Sequence, residues 1–156
     1  MSEHQRDVAE PELSRVVVRR LIAAPPDRVF SAWTEPEHLL RWWGPDGVTL
    51  ADVRVDLRVG GCYRLDNQYA DGSVTRIAGE FEVIERPSRL VYTWAHQPIT
   101  RDTEHTRVTV VFEPCADGTE VVVTHEGFQT ERSRHAHATG WSECLNRLQL
   151  SDPLRN

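Results

Sequence analysis

A chain of 156 residues with 18 Lys and Arg against 24 Asp and Glu carries a formal charge of −6 and has room for one domain with a sizeable core. The acidic balance argues against a phosphate backbone or an anionic membrane surface as the main partner, so neither nucleic acid nor membrane is expected. No apolar run approaches the roughly 18 residues of a transmembrane helix, and the start MSEHQRDVAEPEL lacks the basic-then-apolar order of a secretory signal, so a soluble, cytoplasmic protein is expected.

Residues 1–13 are polar and aperiodic and read as a disordered tail; the domain is expected over 14–150, with a short C-terminal tail over 151–156. SRVVVRRLIA is rich in β-branched residues and predicts a strand. Pro25 and Pro26 then open a helix carrying Val29, Phe30 and Trp33 at helical spacing. Thr34, Glu35, Pro36 and Glu37 have the form of a capping box, which predicts a second short helix through EPEHLLRWW, stopped by Gly44 and Pro45.

From there to Gly127 the chain reads as six strands: VTLADVRVDL, CYRLDNQY, SVTRIAGEFEVIE, RLVYTWAH, HTRVTVVFEP and TEVVVTHEG. Gly60 and Gly61, Asp71 and Gly72, Pro87 and Ser88, and Asp117 and Gly118 supply turn signals between them. Residues 131–150 return to helical spacing, with His137, Trp141, Cys144, Leu145 and Leu148 on one stripe. No crossover helix separates the six consecutive strands, which excludes a parallel α/β fold and leaves an α+β architecture, a curved sheet gripping one helix.

In this order AAPPDRVFSAWTEPEHLLRWWGP, VDLRVGGCYR, ERPSRLVYTW, VTVVFEPCADGTEVVVTHEGF and GWSECLNRL resemble the START-like superfamily, also called SRPBCC, with the helix-grip fold of the birch pollen allergen. Within it the sequence is most similar to the family named for the activator of the 90-kilodalton heat-shock-protein ATPase, over about residues 14–150. The resemblance implies a seven-stranded antiparallel sheet round a long C-terminal helix, two short helices after the first strand, and an elongated cavity between sheet and helix. It implies less about chemistry: members include carriers of hydrophobic ligands, polyketide cyclases and aromatases, and stress-linked proteins. The co-chaperone that names the family has an additional N-terminal domain, which a chain of 156 residues is too short to hold.

Strand alternation gives the inward faces. Val108, Val110 and Phe112 should point at the helix, as should Val121, Val123 and His125. The matching sets on the other strands are Leu90, Tyr92, Trp94 and His96; Gly79, Phe81 and Val83; and Tyr63, Leu65 and Asn67. With His137, Trp141 and Cys144 from the helix and Trp42 at the cavity mouth, they describe an aromatic interior with a few polar handles. Such an interior suits a pocket for a small hydrophobic or aromatic molecule, and equally a packed core.

His125 and His137 are the acid–base candidates, with Tyr92 beside them, because a neutral imidazole on an apolar face can bond a ligand or move a proton near neutral pH. No G-x-S-x-G elbow and no Gly-rich phosphate loop is present, so neither a hydrolase nor a nucleotide site is expected. Three cysteines without a CxxC pair suggest neither a disulfide framework nor zinc, and Cys144 reads as packing. No metal or cofactor is expected.

Three functional readings follow. The first is a protein that binds a small hydrophobic or aromatic ligand; the second is a cyclase-like or dehydratase-like enzyme acting on an aromatic or polyketide substrate; the third is a stress-related chaperone partner, suggested only by the family's name. Edge strands and exposed apolar helix flanks are compatible with a homodimer. In the Trp42 and Trp43 doublet, helical rotation predicts that Trp43 shares the buried stripe of Leu39 and Leu40 while Trp42 borders the cavity mouth.

Overall fold

The computed structural model describes residues 14–151. The expected tail over 1–13 lies outside the described residues, as does the segment 152–156. Strand β1 (Arg15–Ile22) is followed by helices α1 (Pro26–Thr34) and α2 (Pro36–Trp42). Six strands come next: β2 (Thr49–Val55), β3 (Cys62–Gln68), β4 (Val74–Glu85), β5 (Arg89–Gln97), β6 (Thr106–Cys115) and β7 (Gly118–Glu126). Helix α3 (Glu131–Gln149) closes the fold.

The order β1-β7-β6-β5-β4-β3-β2 makes one seven-stranded sheet in which every pairing is antiparallel. Consecutive strands from β2 to β7 are neighbours, so short turns suffice to join them. This is the helix-grip α+β fold expected from the sequence. Within it β4 and β5 slip register between Phe81 and Val83. Gly79 lies beside that slip, and a Cβ there would stand 2.0 Å from Thr93 O, so only glycine permits the close approach of the two strands.

Helix α1 starts with Pro26 and carries Asp27 in its first turn, where a carboxylate suits the helix dipole. It buries Val29, Phe30, Ala32 and Trp33. The capping box does not form. Thr34 is the last residue of α1, and its hydroxyl donates back to Phe30 O at 2.9 Å, while Glu35 caps α2 without a side-chain hydrogen bond. A carbonyl one turn back competes for the same hydroxyl, and here it wins.

The core is densest under β6 and β7, where Val108, Val110, Phe112, Val121 and Val123 meet Ile22, Phe30, Leu145 and Leu148. Each fully buried side chain of this kind stabilises the fold by about 1.5–3 kcal/mol. Helix α3 is held at both ends. Thr130 caps it by accepting from Ser133 N at 3.1 Å, and Glu104 accepts from Ser133 Oγ and Gln129 N, both at 2.6 Å. Its second half is tied to β1, with Arg20 donating to Asn146 Oδ1 and Ser142 Oγ and Gln149 Nε2 to Leu21 O. No helix among the described residues is long and apolar enough to cross a membrane.

Candidate functional site

The sheet and the middle of α3 line an open-mouthed cavity of about 310 Å³. Helix α3 contributes Ala136, His137, Gly140, Trp141 and Cys144; the strands contribute Asn67, Ile77, Trp94 and His96; Trp43, Pro45 and Tyr69 complete the wall. Ala136, Tyr69 and His96 are exposed and form the mouth, whereas Trp43, Asn67, Trp94, Trp141 and Cys144 are buried and form the depth. Room is left because α3 presents small residues there. Gly140 has open space where a Cβ would be, in a helix where Gly costs about 1 kcal/mol relative to Ala.

The turn after α2 is braced from the helix side. Gly44 has φ of 124°, a conformation that favours glycine, and a Cβ there would press on Val48 O at 2.6 Å. Arg147 Nη1 donates to Gly44 O at 3.0 Å and Val48 O at 2.7 Å, and Gly44 N donates to Cys144 Sγ at 3.4 Å. This bracing sets Trp43 against the cavity.

Trp43 is buried with Leu39 and tied to β3, as expected, but it also takes the place at the cavity that was expected of Trp42. Trp42 is 1% exposed, lies outside this cavity's wall, and donates from Nε1 to Ala32 O at 2.8 Å, anchoring α2 to α1. Trp43 lines the cavity and donates to Asn67 Oδ1 at 3.0 Å. The helix ends at Trp42, and Trp43 already has extended backbone with φ −63° and ψ 141°, so helical rotation does not apply to it. Leu40, expected to be buried with Trp43, is 52% exposed.

His125 is fully buried and both ring nitrogens are engaged. Nδ1 accepts from Trp141 Nε1 at 2.9 Å, which leaves the proton on Nε2, 2.7 Å from Thr106 Oγ1; that hydroxyl in turn donates to Trp94 O at 3.2 Å. Burial, followed by the neighbouring His137 and His96, pushes its pKa down to about 2. A sealed neutral imidazole with no free lone pair cannot exchange a proton with a ligand, so its expected acid–base role gives way to a structural one. The expected Tyr92 role changes for a similar reason. Its hydroxyl accepts from Trp33 Nε1 at 3.3 Å, and burial raises its pKa far above the ordinary phenol value.

His137 is half-buried on the cavity wall. Its Nδ1 lies 2.8 Å from Ser133 O, a contact in which the nitrogen must donate, and this leaves Nε2 as an acceptor in the neutral ring. His96 stands beside it, ring centroids 5.7 Å apart. Although His96 meets solvent at the mouth, the atoms crowding its inner side, and then His137, hold its pKa below the usual imidazole range. Burial pushes the Cys144 thiol up to about 12, so the sulfur is an inert wall atom.

Of the residues expected to face the interior, Asn67, Trp94, His96, His137, Trp141 and Cys144 line this cavity. Tyr63, Leu65, Phe81 and Tyr92 surround a separate void of about 30 Å³, with room for a water or two and not for a ring. Val110, Phe112, Val123, His125 and Trp42 border neither and belong to the packed core. Sequence reading omitted Trp43, Pro45, Tyr69, Ile77, Ala136 and Gly140 from the site. Gly140 and Ala136 carried a signal, two small residues four apart on the helical face that ends in Cys144.

A curved antiparallel sheet gripping one long helix, with an aromatic-walled cavity between them, defines a START-like protein. Residues 23–150 match the sequence profile described as activator of Hsp90 ATPase homolog 1-like protein, and the chain belongs to that family. No curated protein sequence matches it. Among solved structures it is similar to a protein of Chromobacterium violaceum, with TM-score 0.79 and 24% identity over 88% of this chain and 96% of that one. It is also similar to the AHSA1 protein of Silicibacter pomeroyi, with TM-score 0.78 and 21% identity over 88% and 96% of the two chains. An AHSA1-like protein of Aeromonas hydrophila follows at TM-score 0.70 and 24% identity, covering 86% and 89%. At these identities the likeness carries the fold and leaves function to the site.

Proposed function

We propose that this protein binds a small hydrophobic or aromatic molecule in the cavity between the sheet and α3. The observation that carries the reading is the cavity of about 310 Å³ walled by Trp43, Trp94 and Trp141, at the small end of the roughly 300–1,000 Å³ range of ligand pockets. Aromatic walls supply apolar contact area, and the ring edges and faces favour a flat ligand. A compound of one or two fused rings suits this volume better than a lipid chain.

Of its three expected acid–base residues an enzymatic reading retains His137 at the cavity, with His96 beside it at the mouth, because His125 and Tyr92 are sealed from it. Two histidines with no paired carboxylate or nucleophile are weaker support for catalysis than an aromatic box is for binding.

The test combines native mass spectrometry of the freshly purified protein with calorimetric titration of 2-acetylnaphthalene. A bound mass, or one-site binding that Gly140→Leu abolishes while the thermal transition stays within a few degrees, is the expected result. No bound mass and no titration signal would overturn the reading. Stimulation of a chaperone ATPase that survives Gly140→Leu would instead place function on the outer surface.

A further inference from the structure

The chain has five tryptophans, and the fate of their indole N–H groups separates one from the rest. Trp33 donates to Tyr92 Oη, Trp42 to Ala32 O, Trp43 to Asn67 Oδ1 and Trp141 to His125 Nδ1. Trp94, only 6% exposed, has an Nε1 that is buried with no hydrogen-bond partner among the described residues. It is on the cavity wall. A buried donor left unpaired costs free energy comparable to a lost hydrogen bond, so such groups call for a partner.

Asn67 lines the same cavity, and its amide orientation is fixed from behind. Trp43 Nε1 can only donate, so the Asn67 atom 3.0 Å from it is the carbonyl oxygen, and Nδ2 is the end left over. That amide nitrogen has no hydrogen bond to another described residue. Two buried residues of this wall thus carry donors without a partner among the described residues, the buried indole N–H of Trp94 and the amide NH₂ of Asn67; His96 adds its ring nitrogens at the mouth, and no carboxylate lines the wall. Cys144 Sγ is already used as an acceptor by Gly44 N.

Resting on the binding reading above, we propose that the ligand is an aromatic compound bearing a hydrogen-bond-acceptor oxygen, carbonyl or phenolic, held by Trp94 and Asn67 while its rings lie against Trp43 and Trp141. Sites that hydrogen-bond a ligand group discriminate against the analogue lacking it, because the donors are then left unpaired.

The test is a pair of isosteric probes, 2-acetylnaphthalene and 2-isopropenylnaphthalene, which differ only in an oxygen replaced by a methylene. The ketone should bind about tenfold tighter to the native protein. Trp94→Phe, which keeps a ring and removes the donor, should bring the ratio towards one. Asn67→Asp, which keeps an acceptor for Trp43 and replaces the amide donors by a carboxylate, should do the same; if it does not fold by circular dichroism, the tryptophan variant decides alone. Equal binding of both probes to the native protein would overturn the proposal while leaving the cavity reading intact, and would mean that the indole N–H is met by a ring face or by water. A tenfold preference that survives in the folded variants would remove the role from these residues. Failure of both probes to bind would refute the cavity reading itself.

Discussion

His125 and His137 face each other with ring centroids 5.1 Å apart, and they divide the interior into two regions of opposite character. On the His125 side, under β6 and β7, every side chain is packed and each polar atom of the histidine, Thr106 and Trp141 is spent inside the protein. On the His137 side, under β3 to β5, a glycine and an alanine on α3 leave space, and the indole of Trp94 and the amide of Asn67 keep unspent donors. Both regions contain tryptophan and histidine among aliphatic side chains. What separates them is whether the opposing helix residue is large enough to fill the gap and whether each polar atom finds its partner within the chain.

Truncation should expose the difference most strongly. Phe112→Ala, in the sealed region, is expected to cost about 3–5 kcal/mol in denaturant unfolding. Ile77→Ala, whose side chain already borders empty space, should cost about 2 kcal/mol, the low end for such changes. Equal losses would erase the distinction between packed and open halves.

Next in size is His125→Leu, which strands the Trp141 N–H and a Thr106 lone pair in the core and should cost about 2–4 kcal/mol at neutral pH. This effect has a pH signature. The folded-state pKa of His125 is about 2, well below the roughly 6.5 of an unfolded histidine. Between those values the unfolded chain binds the extra proton, so the stability contributed is complete above about pH 6.5 and is lost as pH falls. From about pH 6.5 to 5, above the carboxylate range, the native protein should lose up to about 1.4 kcal/mol per pH unit through this group. His96, also held low, adds in the same direction. The leucine variant should show a shallower slope over that window, narrowing its deficit in acid; parallel slopes would contradict the sealed neutral imidazole.

Smaller still is the change at Gly140. Replacement by Ala should stabilise α3 by about 0.5–1 kcal/mol because the added methyl enters open space. The smallest effect belongs to Glu37→Gln, within about 0.5 kcal/mol by thermal unfolding, since the capping box that would have used it does not form.

The strands, most of their inward faces and the stripe on α3 were legible because alternation and helical spacing are local and repeat many times; the bulge after Phe81 breaks the alternation, so Ile84 meets the core where Val83 was expected. Tyr92, Phe112 and His125 each point inward as their neighbours in sequence require. Whether an inward residue meets a cavity or another side chain was not legible, since that depends on a facing element far away in the chain. Trp94 and His125 sit on equivalent faces of β5 and β7, yet only Trp94 faces the small residues of α3. The shift of the cavity position from Trp42 to Trp43 has a different cause. Helical extrapolation fails one residue past the last helical φ and ψ, and that residue is the one that reaches the cavity.

The most direct test of a sealed half beside an open one is to follow the five indole N–H resonances of uniformly ¹⁵N-labelled protein during titration with 2-acetylnaphthalene. The largest shift should fall on Trp94, with smaller shifts on Trp43 and Trp141, while Trp42 stays within the scatter of the unliganded spectrum. Five unmoved resonances at saturating probe, or a shift of Trp42 as large as that of Trp94, would contradict the account.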